Sequence, residues 1–234
     1  MNLETVRAAI VGCNDCPRLR KYCARIAREK KAAHREDTYW GRPVPGFGDP
    51  NARLLLVGLA PAAHGANRTG RVFTGDGTGG SGDFLLSALH AAGFANIPTS
   101  RSPDDGLVLR DTYILSAVRC APPDNRPTPA EIVRCRRHLT AEIAALPRVR
   151  VVVALGKIGH DAFLAHVAET HGVQPRPRPA FAHGSEARLG DGMPLLLGCY
   201  HPSRQNTNTG KLTAPMMRAV FTRARALVEG KLAA

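Results

Sequence analysis

The chain contains no long hydrophobic run. No stretch of its 234 residues reaches the ~18 uninterrupted apolar positions that mark a membrane-crossing helix. The opening segment Met1–Ala9 has no apolar core and carries Glu4, so no secretory signal is expected and a cytoplasmic location is. No internal repeat is visible, and no Gly-Lys-Ser or Gly-Lys-Thr triplet occurs, which excludes a Walker phosphate loop. Acid is scarce: 19 Asp and Glu stand against 32 Lys and Arg, a formal net charge of +13. Arginine dominates the basic residues, and its planar fork suits phosphate recognition. The balance points to a nucleic-acid partner, although an Arg bias across a whole genome would produce the same count.

A hydrophobic fraction of 44% over this length is ordinary for one large α/β domain that buries its own core. Four short apolar runs read as buried strands: Arg53–Val57, Thr112–Val118, Val149–Leu155 and Leu195–Tyr200. Helical segments lie around them, at Arg18–Lys31, Phe84–Ala92, Thr128–Ala145, Gly156–His171 and Thr213–Glu229. Thr128 can cap its helix, with Pro129 in the first turn. Gly41–Pro50 reads as a loop and Pro175–Gly192 as an irregular surface excursion. Strands alternating with helices argue for a parallel sheet covered on both faces. In such folds the chemistry gathers at the carboxyl ends of the strands. Those ends here carry Gly58-Leu59-Ala60-Pro61, Arg119-Cys120-Ala121-Pro122, Gly156-Lys157 and His201-Pro202-Ser203.

The first of these opens a long polar segment, Gly58–Asp76, with one acid (Asp76), two cations (Arg68, Arg71) and one aromatic plate (Phe73). A loop this long is costly to order unless it binds something, and a flat aromatic beside polar groups can stack on a base. Phe73 could equally anchor the loop in the core, and Asp76 could cap a turn. The run Gly75–Gly80 matches G-x-G-x-x-G but follows no strand, so it lacks the context of a dinucleotide site. The last segment, Tyr200–Gly210, follows a strand with His201 and then strings Ser203, Arg204, Gln205, Asn206, Thr207 and Asn208 into a donor-rich loop suited to phosphate and groove contacts. In the middle segment, Arg119–Pro129, four prolines stiffen the chain around Asn125, whose amide could read a base edge or merely form a turn.

Cysteine spacing gives the strongest purely physical signal. Cys13 and Cys16 form a C-x2-C, and Cys120 and Cys135 a C-x14-C. Two pairs that only folding can unite, in a reducing compartment, read as a four-thiolate site for zinc or an iron–sulfur cluster. Cys23 is a rival ligand near Cys16; Cys199 reads as buried core.

The segments GLAPAAHGANRTGRVFTGD, RCAPPDNRPTP and YHPSRQNTNTG, with the cysteine spacing, resemble the motifs of the family 5 (UDGb-type) uracil-DNA glycosylases. The resemblance runs from Cys13 to about Met217. It implies a single three-layer α/β/α domain with a central four-stranded parallel sheet, residues 1–50 forming a cluster-binding segment packed on it. It implies a [4Fe–4S] cluster held by Cys13, Cys16, Cys120 and Cys135. It also implies excision, by a monomer, of uracil and other deaminated bases such as hypoxanthine from DNA. Carried over residue by residue, Asp76, His201 and Asn125 match catalytic positions, with Asp83 as the fallback acid. Gly58, Ala60, Phe73, Ser203, Arg204 and Asn206 match substrate-binding positions. Ala60 stands where related families place a polar water-activating residue. The cluster is expected to orient Arg18, Arg20 or Arg134 toward DNA phosphates. Two other readings remain: a non-catalytic nucleic-acid-binding module with a structural four-cysteine metal site, and an oxidoreductase using the Gly-rich stretch.

Overall fold

The computed structural model describes residues 2–231. Four parallel strands form the centre of the molecule: β2 (Leu54–Gly58), β3 (Thr112–Ser116), β4 (Val151–Leu155) and β6 (Leu195–Cys199). Each coincides with one of the apolar runs. Two strands of two residues each, β1 (Phe47–Gly48) and β5 (Glu186–Ala187), add antiparallel edges, giving the order β1-β3-β2-β4-β6-β5. These edges lie inside the segments expected to be a loop and an irregular excursion. Neither run is long or apolar enough to signal a strand, and both form only by pairing with a neighbour already in place.

The sheet is buried on both sides, so its strands read as continuous hydrophobic runs. Alternation survives within them. Leu54, Leu56, Val151 and Val153 face one core, which they share with α4 (Ser81–Ala91) and α8 (Ala214–Val228). Leu55, Val57, Val152 and Ala154 face the other, beneath α5 (Pro129–Ala144) and α6 (Lys157–His171). Gly159 permits the close approach of α6: a Cβ there would lie 2.3 Å from the Val57 carbonyl oxygen. Thr128 caps α5 as expected, and Glu131 returns the bond to the Thr128 backbone, completing a capping box.

The N-terminal segment folds onto this frame as α1 (Leu3–Val11), which packs against α5, and α2 (Pro17–Glu29). A third, small core forms there from Cys16, Leu19, Cys23, Val118, Cys120, Ala121 and Cys135. After β2 the chain turns one way to β3 and the other way to β4, so the sheet reverses its winding between these strands. The crevice beyond that switch point is where open α/β sheets bind ligands.

Candidate active site

A cavity of about 570 Å³ opens at the carboxyl ends of the strands. Leu59 and Ala60 reach it from the end of β2, Ser116 from the end of β3 and His201 from just beyond β6. Phe73 and Asp76 enter from the long loop after β2, Asn125 and Arg126 from the turn after β3, and Ser203 and Arg204 from the segment after β6. Three stretches far apart in sequence thus share one concavity.

His201 and Phe73 form a wall. Their ring centroids are 5.8 Å apart at an interplanar angle of 31°. That is the spacing of a directly packed pair, so the rings make one continuous surface, not two jaws. Burial pushes the His201 imidazole down to about 4, which keeps it neutral near pH 7. A neutral ring donates from one nitrogen only. The Asn206 side chain donates to the His201 carbonyl at 2.8 Å, and Ser203 N donates to the same oxygen at 2.8 Å.

Phe73 holds a backbone φ of +52°, unusual for a bulky residue. Such a conformation stores ~1–3 kcal/mol of strain, and its surroundings must over-determine it. They do so through two glycines. Gly58 lies under the ring, where a Cβ would be 3.3 Å from it, and Gly82 abuts the Phe73 carbonyl, where a Cβ would lie 2.2 Å from the oxygen. Asp124 and Asn125 also hold positive φ, 53° and 55°, in the turn that aims Asn125 at the cavity.

Asp76 is the half-buried acid of the cavity. Desolvation raises its carboxyl above the usual range; the Gly82 backbone N–H and the charges of Arg204 and Arg68 pull it back. Gly65 leaves the space the carboxylate occupies: a Cβ there would sit 2.0 Å from Asp76 Oδ1. Arg204 spans the cavity, its Nη2 donating to the Asp76 carbonyl at 3.4 Å. Arg68 donates to the Gly75 carbonyl at 2.8 Å and to Asp37 at 2.6 Å, fixing the loop just before Asp76.

Of the expected site residues, Asp76, His201, Asn125, Ala60, Phe73, Ser203 and Arg204 line the cavity. Gly58 and Asn206 do not; Gly58 supports Phe73 and Asn206 steadies His201. Asp83 does not line it either: it pairs with Arg101 at 2.9 Å and accepts from Gly79 N at 3.0 Å. The donor-rich stretch after Ser203 is a short helix, α7 (Arg204–Asn208), because the Ser203 hydroxyl accepts from Asn206 N at its start. Sequence reasoning missed Ser116 and Arg126. Ser116 ends a strand run, a position that could have marked it; Arg126 carries no such signal.

Cys13, Cys16, Cys120 and Cys135 line a second cavity together with Arg20, Arg119, Arg134 and His138. Among the described residues, no three His, Cys, Asp or Glu side chains stand close enough together to hold a single ion; the thiols are set around a space. Arg119 N donates to Cys135 Sγ at 3.3 Å and Arg137 Nη2 to Cys13 Sγ at 3.6 Å. Cys23 is buried against Cys120 but outside that lining, its Sγ donating to the Ala121 carbonyl at 3.6 Å. Cys199 is fully buried in the sheet core. Arg18 forks onto Glu131 at 2.8 and 2.7 Å, Arg20 donates to the Gly41 carbonyl at 3.1 Å and Arg134 to the Asp15 carbonyl at 3.0 Å. All three guanidinium groups make contacts within the protein, although Arg20 Nε has no partner among the described residues.

A doubly covered parallel sheet with an aromatic, an acid and a neutral imidazole on one cavity at the carboxyl ends of its strands defines the α/β class of enzyme, with its candidate site where such sheets bind ligands. Residues 45–225 match the family model of the uracil DNA glycosylase superfamily, and the chain belongs to that family. It is 48% identical over 227 residues to the type-5 uracil-DNA glycosylase of Thermus thermophilus, covering 97% of this chain and 99% of the relative. It is 44% identical to that of Pyrobaculum aerophilum, over 93% and 89% of the two chains. The type-4 uracil-DNA glycosylase of the same archaeon is 30% identical over 70% and 65%.

Proposed function

We infer that this chain hydrolyses the N-glycosidic bond of uracil in DNA, leaving an abasic site. The observation that carries the reading is the meeting of Phe73, Asp76, Asn125 and His201 on one cavity at the carboxyl ends of the strands. A base inside a duplex is out of reach, so the nucleotide must be everted at a cost of a few kcal/mol. Mispaired uracil unstacks more easily. Arg126 and Arg204 are exposed and line the cavity, where they can meet the phosphates that offset that cost, Arg204 with the donors that its bond to the Asp76 carbonyl leaves.

Within the cavity, Phe73 stacks on the extruded base and Asn125 meets its polar edge. Bond cleavage leaves negative charge on the base and positive charge on the sugar. His201, already neutral, donates its N–H to the uracil O2 as charge builds there; one such preorganised donor contributes ~3–4 kcal/mol. Asp76, held against Gly65, stabilises the sugar cation or orients the attacking water. Ala60 lines the cavity without a polar side chain, which leaves that work to Asp76. The room in the cavity supports acceptance of other deaminated bases, hypoxanthine among them.

The donor set also supports a [4Fe–4S] cluster on Cys13, Cys16, Cys120 and Cys135. Thiolates are its ligands, and Arg119 and His138, whose side-chain nitrogens lack hydrogen-bond partners among the described residues, line the space with them. When bound, the cluster supplies a cross-link between the N-terminal segment and the residues after β3, and no chemical step is assigned to it. We propose further that the protein acts as a monomer and works in the cytoplasm, where free thiols persist. A non-catalytic DNA-binding module leaves the buried Asp76–His201 cavity without a use. Single-turnover excision from duplexes carrying uracil, hypoxanthine, xanthine or a thymine mismatch tests the reading. Absence of free uracil, with DNA binding intact, would return the module to favour.

A further inference from the structure

Arg119 is the most deeply buried cation among the described residues. It follows β3, its side chain is 1% exposed, and it lines the four-thiol cavity. Its Nη1 lies 2.6 Å from Oε2 of Glu142, itself fully buried, yet without the angle of a hydrogen bond. Its Nε and Nη2 meet no acceptor among the described residues. A guanidinium carries five donors, and leaving buried donors unmade is costly. Glu142 does not absorb them: its Oε1 is taken by Tyr113 Oη at 3.0 Å and Gly46 N at 2.8 Å.

A second orphan lies beside the first. His138 is 6% exposed, lines the same cavity, and its Nε2 has no partner among the described residues. It follows Cys135 by three positions on α5, so both side chains leave one face of the helix. Two buried nitrogen-bearing side chains on different elements thus line one space with the four thiols, and the half-buried Arg20, whose Nε also has no partner among the described residues, lines it with them. One bond of the expected kind is formed, from Arg119 N to Cys135 Sγ.

We propose that Arg119 and His138 are positioning residues for the iron–sulfur cluster, donating N–H···S hydrogen bonds to it, with Arg119 as its buried counter-charge. This rests on the cluster reading above. Four thiolates around a cationic iron–sulfide core leave net negative charge in a dry setting, and a buried anion needs a cation or donors at hand. The exposed Arg137 offers only solvent-screened help, whereas Arg119 acts where water is excluded. Glu142 then has the task of fixing the guanidinium plane, as outer partners do around metal ligands.

The test compares anaerobically prepared wild type with Arg119→Lys, His138→Phe and the double variant Arg119→Met with Glu142→Gln, which removes both buried charges together. Iron and acid-labile sulfide are measured first; a wild type that holds neither overturns the cluster reading and this proposal with it. Cluster retention is then read as bleaching of the visible band under chelator, and the reduction potential by redox titration. Loss about tenfold faster is expected in the double variant, with a smaller increase in His138→Phe. The double variant should also titrate at a lower potential, because the N–H donors that stabilise the more negative reduced cluster are lost while the net charge of the site is unchanged. Arg119→Lys should return the potential toward wild type. Variants with full iron and sulfide whose bleaching and potential equal wild type would overturn the proposal. If the double variant does not fold, His138→Phe, which leaves the ion pair untouched, decides alone.

Discussion

Replacing Gly65 by alanine adds one methyl group and no charge, yet it should disable the enzyme. The new Cβ would stand 2.0 Å from Asp76 Oδ1, whereas real Cβ contacts essentially never fall below 3.0 Å. The carboxylate must therefore retreat by about 1 Å. Its carbon moves with it, since the new Cβ would also lie 3.1 Å from Asp76 Cγ. A displacement of that size at a reacting centre is worth ~100-fold in rate, or about 2.7 kcal/mol of barrier. The assay is single-turnover excision from a U·G duplex, with the melting transition and the DNA dissociation constant as controls. Asp76→Ala sets the floor, and Gly65→Ala should approach it while binding DNA normally. Excision at the wild-type rate by a folded Gly65→Ala protein would mean that Asp76 needs no fixed position, and the assigned role would fall.

His201→Ala should lower single-turnover excision by ~100–1,000-fold with little change in melting temperature; a loss below tenfold would deny the imidazole its part. Gly82→Ala drives a methyl into the Phe73 carbonyl and should weaken excision by displacing both Phe73 and the Gly82 N–H that bonds Asp76; unchanged rates in a folded protein would show that neither position matters to the reaction. Stability should fall on acidification. His201 and His166 titrate at about 4 when folded, through burial, against about 6.5 unfolded. Between those values the unfolded chain binds more protons, so stability is complete above about pH 6.5 and declines toward pH 4, by at most ~1.4 kcal/mol per pH unit for each imidazole. Urea denaturation from pH 7 to 4.5 should trace that decline, and a flat profile would contradict it.

The strands and major helices were legible because sheet burial and helix capping leave marks on adjacent residues: the run at Val151–Leu155, or Thr128-Pro129 ahead of Glu131. The edge strands left no mark, since Phe47–Gly48 and Glu186–Ala187 owe their conformation to partners distant in sequence. Among site residues, those that touch the cavity through distinctive chemistry stood out, as Asp76, Phe73 and His201 did. Gly65 and Gly82 did not, because making room is a property of where other atoms arrive. The donor-rich run after Ser203 misled for a related reason: a single N-cap bond turns that polar string into a helix and redirects Asn206 from groove to His201. The pairing of Arg119 with Glu142 was equally silent, since nothing in either neighbourhood names the other.

The ladder of β3 does not stop at Ser116. Ala117 N and Val118 N continue it onto the carbonyls of Gly58 and Leu59 at 2.9 Å each, and two residues later the chain delivers Cys120. Five consecutive residues therefore serve as a common beam, one end framing the chamber for the base and the other bearing the thiols. The two compartments cannot be traded independently. A change in the thiol compartment would be felt along the floor of the base cavity, and a graft of that cavity onto another scaffold would have to carry the thiol compartment along.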